Sequence, residues 1–281
     1  MAKKFKHNGF SLTEVLMAVG ILSIGMMLIA TMFPVGIYLT SVASERTMAA
    51  IVADEAFAKI QLYGYENPFD SSYYQWIFDY EQAHNDPCLG SNSGFLRNYD
   101  LFPDINEINP NEFSYPPVDP AMGNRQYYWS ALCKKLNSDP CDTQYQVTVF
   151  VARKTSPNLT YYWHDPYYCY DPNSSSRPRV IDVNVQKVPG EPNNMLKVLY
   201  GKAKYVNPPT TILVLGNNIP GRLYRVVDRI NNADANVITL DRNLDQDADD
   251  PNSIWFIPPP DPNTGGGKNA DIEVFQRIIR F

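Results

Sequence analysis

Charge is absent from residues 15–44 of this sequence. A run of that length without Asp, Glu, Lys or Arg is not an ordinary surface helix, because it exceeds the ~20 helical residues that cross a bilayer's apolar core. Histidine is scarce, with three in the chain: His7, His84 and His164. The H-E-x-x-H zinc motif, the G-x-S-x-G nucleophile turn and the phosphate-binding glycine loop are all missing. Gly265-Gly266-Gly267-Lys268 lacks the strand before and the helix after that such a loop needs, and it reads as a linker. No catalytic set emerges, so the sequence points away from an enzyme and toward no cofactor. A basic excess is missing too. With 24 Lys and Arg against 30 Asp and Glu the net charge is −6, which argues against nucleic acid as the main partner. No internal repeat is found.

What is present is concentrated at one end. Lys3, Lys4 and Lys6 precede Gly9-Phe10-Ser11-Leu12-Thr13-Glu14, and the apolar run follows. Lysines on that side predict a cytoplasmic N-terminus, with the bulk of the chain across the membrane. Glu14 is the informative residue. A carboxylate costs about 2.5–3.5 kcal/mol at the centre of a bilayer helix, and less near the interface. It calls for a cation, and the lysines all lie before Gly9. A cut between Gly9 and Phe10 would create one, the α-amine of Phe10, four residues from Glu14. The same cut removes three positive charges and takes the net charge from −6 to −9. A secretory signal explains less. Ser41-Val42-Ala43 would serve as its cleavage site, but the apolar run is far longer than the ~7–15 residues of a signal core.

A short basic leader, Gly9-Phe10, Glu14 and a long apolar helix together resemble the class III signal of type IV pilins and type II secretion pseudopilins, over about the first 55 residues. The resemblance implies that residues 1–9 are a leader removed by prepilin peptidase. It implies cleavage between Gly9 and Phe10, then N-methylation of Phe10. It implies that Glu14 meets the N-terminus of a neighbouring subunit during assembly. Residues 21–25, Ile-Leu-Ser-Ile-Gly, are most similar to minor pilins and minor pseudopilins. The implied partners are other pilin or pseudopilin subunits, the peptidase, an inner-membrane assembly platform and membrane lipid. The implied location is the inner membrane, single-pass, with the globular part periplasmic or extracellular, and a filament after assembly.

Beyond the span, Met48, Val52, Ala56 and Ile60 fall four apart, so the helix is expected to continue to about residue 64 with one buried face. Residues 10–64 form one helix in this reading, with the transmembrane part at 15–39. Pro34 removes one hydrogen bond from its ladder and predicts a kink or local melting. Residues 65–204 are expected to form a pilin-like globular domain with an enlarged loop, containing short helical pieces near 72–83 and 126–136. Tyr145, Val147, Val149 and Val151 alternate with Gln146, Thr148 and Phe150. Ile181, Val183 and Val185 alternate in the same way, and residues 195–200 follow across a Pro-Gly turn. These three are expected to make one antiparallel sheet against the helix. Residues 205–281 are read as a separate β-rich unit, a small barrel or extra sheet, with strands near 211–215, 222–228, 236–240, 254–257 and 272–281. The fold class is therefore α+β.

The remaining candidates are weaker. Cys88, Cys133, Cys141 and Cys169 make an even count with no C-x-x-C pair, which points to two disulfides rather than zinc. Cys133–Cys141 with Cys88–Cys169 is the first choice among three connectivities. Asp245, Asp247 and Asp249 are spaced to offer calcium several oxygens. Asp250 stands where an EF-hand needs glycine and Phe256 where it needs glutamate, so a solvated acidic turn is the preferred reading. Residues 161–170, Tyr-Tyr-Trp-His-Asp-Pro-Tyr-Tyr-Cys-Tyr, offer a contact surface or a loop packed on its own domain, the latter preferred. The chain thus reads as a structural filament subunit. The alternative is a membrane-tethered binding protein or adhesin acting through its C-terminal β-rich unit.

Overall fold

A computed structural model of the chain describes residues 11–63, 78–79, 113–116, 127–136, 144–154, 159, 161, 178–199, 202–215, 221–232, 235–244, 251, 253–260 and 269–280. The elements in chain order are α1 (Leu12–Tyr63), β1 (Phe78–Asp79), β2 (Ser114–Tyr115), β3 (Tyr127–Lys135), β4 (Gln144–Arg153), β5 (Ile181–Lys187), β6 (Met195–Val198), β7 (Thr210–Leu215), β8 (Arg222–Asn232), β9 (Ala235–Leu240), β10 (Ser253–Phe256) and β11 (Asp271–Arg280). The class is α+β: one long apolar N-terminal helix, an antiparallel sheet and a closed six-stranded barrel. Two compact units divide between Thr47 and Met48.

In the first unit α1 is apolar on every side, and its large side chains from Leu12 to Leu39 are exposed. The helix continues through Pro34. In the second unit the helix becomes one-sided. Ala49, Val52, Ala53, Ala56, Phe57 and Ile60 are buried against the sheet, while Ile51 and Leu62 are exposed. Three alanines on the buried face let the helix backbone approach the sheet closely. The sheet meets it with Trp129, Ala131 and Cys133 of β3, Tyr145, Val147, Val149 and Val151 of β4, and Ile279 of β11. Phe113 packs on Trp129 with ring centroids 4.7 Å apart. Arg277 of β11 stacks over the Phe57 ring and pairs with Asp54, tying the edge strand to the helix.

The strand order in the sheet is β1-β3-β4-β11, with β2 also on β3, all antiparallel. This corrects two expectations. Residues 127–135 are a strand, not a helical piece. The sheet is covered on both faces, so exposure does not alternate along β3: Leu132 is as buried as Trp129, and Ser130 and Lys134 are buried on the same face as Leu132. The second correction concerns β5 and β6, which do not join β4 in this sheet. They pair with each other and close a barrel in the order β10-β5-β6-β9-β8-β7. Strands from both sides of residue 205 thus share the barrel, and β11 leaves it to pair with β4 from Asp271↔Ala152 to Arg280↔Gln144.

The barrel is built by period-2 alternation. Val183, Val185, Leu196, Val198, Ile212, Val214, Tyr224, Val226, Ile238, Leu240, Ile254 and Phe256 point inward and fill it. The β5–β6 hairpin turns at Pro189-Gly190, where Gly190 takes φ +83° and the Glu191 amide donates to the Val188 carbonyl. Proline then glycine at those positions is the chemistry of a type II turn. The outward side chains Leu213, Leu223 and Trp255, with Val180 and Ile257, form a second core against Leu132, Phe150, Ala152 and Val274 of the sheet. Each large side chain buried in that seam contributes about 1.5–3 kcal/mol. The second unit therefore layers helix, sheet and barrel.

Candidate functional site at the start of the helix

Ser11 is the N-cap of α1. Its amide donates to Glu14 Oε2 at 2.9 Å, and the Glu14 amide donates back to Ser11 Oγ at 3.3 Å. This reciprocal pair is a capping box, which satisfies two amides that a helix start otherwise leaves open. Ser11 Oγ also lies 2.9 Å from Thr13 Oγ1. The Ser11 carbonyl accepts from the Glu14 and Val15 amides and opens the helical ladder. The Glu14 carboxylate is thus engaged through Oε2 by its own chain, and this also favours a negative group at the positive end of the helix dipole. The role of Ser11 was missed in reading the sequence, although its S-x-x-E spacing is the signal for it. Gly9 and Phe10, the expected cleavage pair, lie outside the described residues.

After Glu14 the helix is suited to lipid. Its most apolar 18-residue window has a mean hydropathy of 2.3. Four hydroxyls along the helix are turned back on the backbone: Ser23 to the Val19 carbonyl, Thr31 to Leu28, Thr40 to Gly36 and Thr47 to Ala43, at 2.8–2.9 Å. In hydrocarbon an unsatisfied polar group costs several kcal/mol, so these bonds are what make the hydroxyls tolerable there.

Residues 4–30 match a family model described as the prokaryotic N-terminal methylation motif. The chain carries a prepilin-type methylation motif. The matched residues span Gly9, Phe10, Ser11 and Glu14 and end inside the apolar helix. Searches of curated proteins and of solved structures found no match. The motif is of the kind that prepilin peptidase processes, and the helix that follows it is long and apolar enough to serve as a single-pass membrane anchor.

Most residues of the other expected sites lie outside the described residues. Asp245, Asp247 and Asp249 lie outside the described residues. Asp241, just before them, ends β9 by accepting from the Arg225 amide at 3.1 Å and donating its own amide to the Arg225 carbonyl at 2.9 Å. Of the cysteines, Cys133 is buried on the helix-facing side of β3, whereas Cys88, Cys141 and Cys169 lie outside the described residues. Among residues 161–170 the described one is Tyr161. It is buried, it bridges to Pro260, and burial, helped by nearby Tyr128, pushes its hydroxyl pKa up to about 12. Tyr161 is thus packed on its own domain, and residues 162–170 lie outside the described residues. Among the described residues no group of His, Cys, Asp and Glu is arranged to hold a metal ion.

Proposed function

We propose that this chain is a minor pilin or pseudopilin, a structural rather than catalytic subunit of a type IV pilus or type II secretion filament. The observation that carries this reading is the methylation motif at residues 4–30, set on a helix whose apolar surface is uncovered. Prepilin peptidase removes residues 1–9 on the cytoplasmic side, and Phe10 becomes the methylated N-terminus. The subunit then waits in the inner membrane with its globular part outside the cytoplasm. It enters the filament through an assembly platform, with Glu14 oriented by Ser11 toward the amine of a neighbour. Lipid covers the apolar helix before assembly, and neighbouring helices cover it afterwards.

The test is the mass of the mature N-terminus together with the sheared filament fraction. An N-methyl-Phe10 terminus on chains that co-purify with other prepilin-like subunits supports the proposal. A chain that keeps residues 1–9 refutes it.

A second reading is favoured by the barrel, which is closed and has its own core. In it the chain is a membrane-tethered binding protein or adhesin that presents the barrel to a ligand. A processed monomer that stays in the membrane with ligand bound, and never enters filaments, would select this reading.

A further inference from the structure

We propose that Asp271 is a proton-sensitive clamp that seats the barrel on the sheet more firmly when its carboxyl is neutral. Asp271 opens β11, the strand that returns from the barrel to the sheet. Its Oδ2 accepts from the Thr210 hydroxyl at 3.0 Å and from the Thr211 amide at 3.2 Å, both at the start of β7. One carboxylate thus joins the sheet's last strand to a wall of the barrel. Asn269, just before β11, braces the same junction, and Arg229 of β8 secures its barrel side. Asn269 Nδ2 donates to the Asn207 and Pro209 carbonyls, and Arg229 Nη1 donates to the Ala203 and Val206 carbonyls and to Asn207 Oδ1.

The other oxygen is the unusual one. Asp271 Oδ1 is buried and, among the described residues, has no hydrogen-bond partner. A charged carboxylate half-satisfied in a buried place is costly. Burial raises its pKa above the ordinary Asp value, against the opposing pull of the hydrogen bonds from Thr211, Thr210 and its own backbone amide and of Arg225. Among the described residues, the elements around it offer little further charge. From β7 come a hydroxyl and an amide, and from β8 comes Arg225. From β4 the residue opposite is Ala152, with Arg153 next to it, and on β11 itself Glu273 is two residues on.

The sign follows from linkage. An acid whose pKa is raised in the folded state weakens the fold while it is ionised. That penalty is full above the raised folded value, shrinks as pH falls through it, and is gone below the 3.8 of the unfolded chain. On protonation Oδ2 keeps both donors as a carbonyl oxygen, and the proton, taken from solvent, sits on Oδ1. Mild acid therefore tightens the junction, the opposite of what it does to a salt-bridged carboxylate. The clamp does not depend on which machine the chain serves.

The test uses the full-length protein in detergent, with carbon-13-labelled aspartate and with Asp271→Asn. The Asp271 carboxyl is expected to titrate above 3.8. Asparagine keeps an acceptor for Thr210 and Thr211 without the charge. The wild-type Tm measured against Asp271→Asn is therefore expected to rise as pH falls through the Asp271 midpoint. After correction for intrinsic exchange, the Thr211 amide should gain protection over the same range, about tenfold for a carboxyl titrating one pH unit above 3.8. This amide measurement on the wild type stands even where Asp271→Asn does not fold. A midpoint at or below 3.8, a Tm difference that ignores pH, or a Thr211 amide indifferent to acid would each overturn the clamp.

Discussion

Glu14 has two roles that a single alanine substitution cannot separate. It caps its own helix through Ser11, and under the proposed function it pairs with the amine of a neighbouring Phe10. Glu14→Ala removes both. Glu14→Gln keeps an oxygen for the Ser11 amide, 2.9 Å away in the wild type, and loses the charge alone. Ser11→Ala keeps the carboxylate and loses the hydroxyl that accepts from the Glu14 amide. The magnitudes differ enough to read. Loss of an N-cap side chain costs about 1 kcal/mol, or roughly fivefold in an equilibrium at about 1.4 kcal/mol per decade. Removing one partner of a buried ion pair costs about 3–5 kcal/mol, because the other charge stays unpaired, and that exceeds a hundredfold. Ser11→Ala is therefore expected to reach filaments at a level reduced by no more than about fivefold. Glu14→Gln and Glu14→Ala are both expected to be absent from the sheared fraction. All three should lose the leader normally, whereas Gly9→Val should retain it, because a bulky side chain blocks the scissile bond. Immunoblots of leader loss and of sheared filaments score the two steps separately. A Glu14→Gln protein that assembles like wild type would refute the charge pairing and leave Glu14 as a cap alone.

Three further outcomes are expected. An oxidising compartment should pair all four cysteines, so thiol labelling of denatured, unreduced protein should find none, and two or more labelled thiols would reject the disulfide reading. A chelator should leave the melting temperature unchanged if residues 245–250 are a solvated turn; a fall that Asp247→Ala abolishes would instead establish calcium there. Truncation after Lys204 should not accumulate as folded protein, because it strips β7–β10 from the barrel and β11 with buried Ile279 from the sheet. A soluble, protease-resistant fragment would contradict the pairing described above.

The local parts of this fold were legible in the sequence, and the non-local parts were not. The apolar run and the four-residue spacing of Val52, Ala56 and Ile60 predict α1 almost to its last residue. Alternation places β4, β5 and β6 and the strands near 211, 222, 236, 254 and 272 to within a few residues. Alternation does not say which sheet a strand joins. β11 pairs with β4 across the whole barrel, from Arg280 to Gln144, and no turn chemistry records a connection of that length. β3 was misread for a different reason. Ser130 and Lys134 are interleaved with Tyr128 and Leu132 on one face, which blurs the alternation, and Ala131, Leu132, Lys134 and Lys135 are good helix formers. At the helix start, the roles of Gly9 and Phe10 came from resemblance, while the Ser11–Glu14 bond was written in the spacing and overlooked. Asp271 gives no sequence signal, since a carboxylate that opens a strand is usually solvated.

The route of the chain through the barrel bears on how such a subunit can vary. β4 and β11 are antiparallel neighbours, and the Arg153 amide donates to the Ala270 carbonyl at 2.8 Å. The chain therefore leaves the sheet and re-enters it at one place, with the barrel strung between. The sheet takes none of its strands from the barrel, and the helix-facing core is made by α1, residues of the sheet and Phe113. What the barrel supplies is cover for the opposite face of the sheet, through Leu213, Leu223 and Trp255. Change inside the barrel thus leaves the pairing of β4 with β11 untouched, provided the seam side chains stay apolar and the Thr210–Asp271 contact is kept. Packing on the helix is in this way separated from whatever the barrel presents, which suits the proposed role of a filament subunit with a specialised surface.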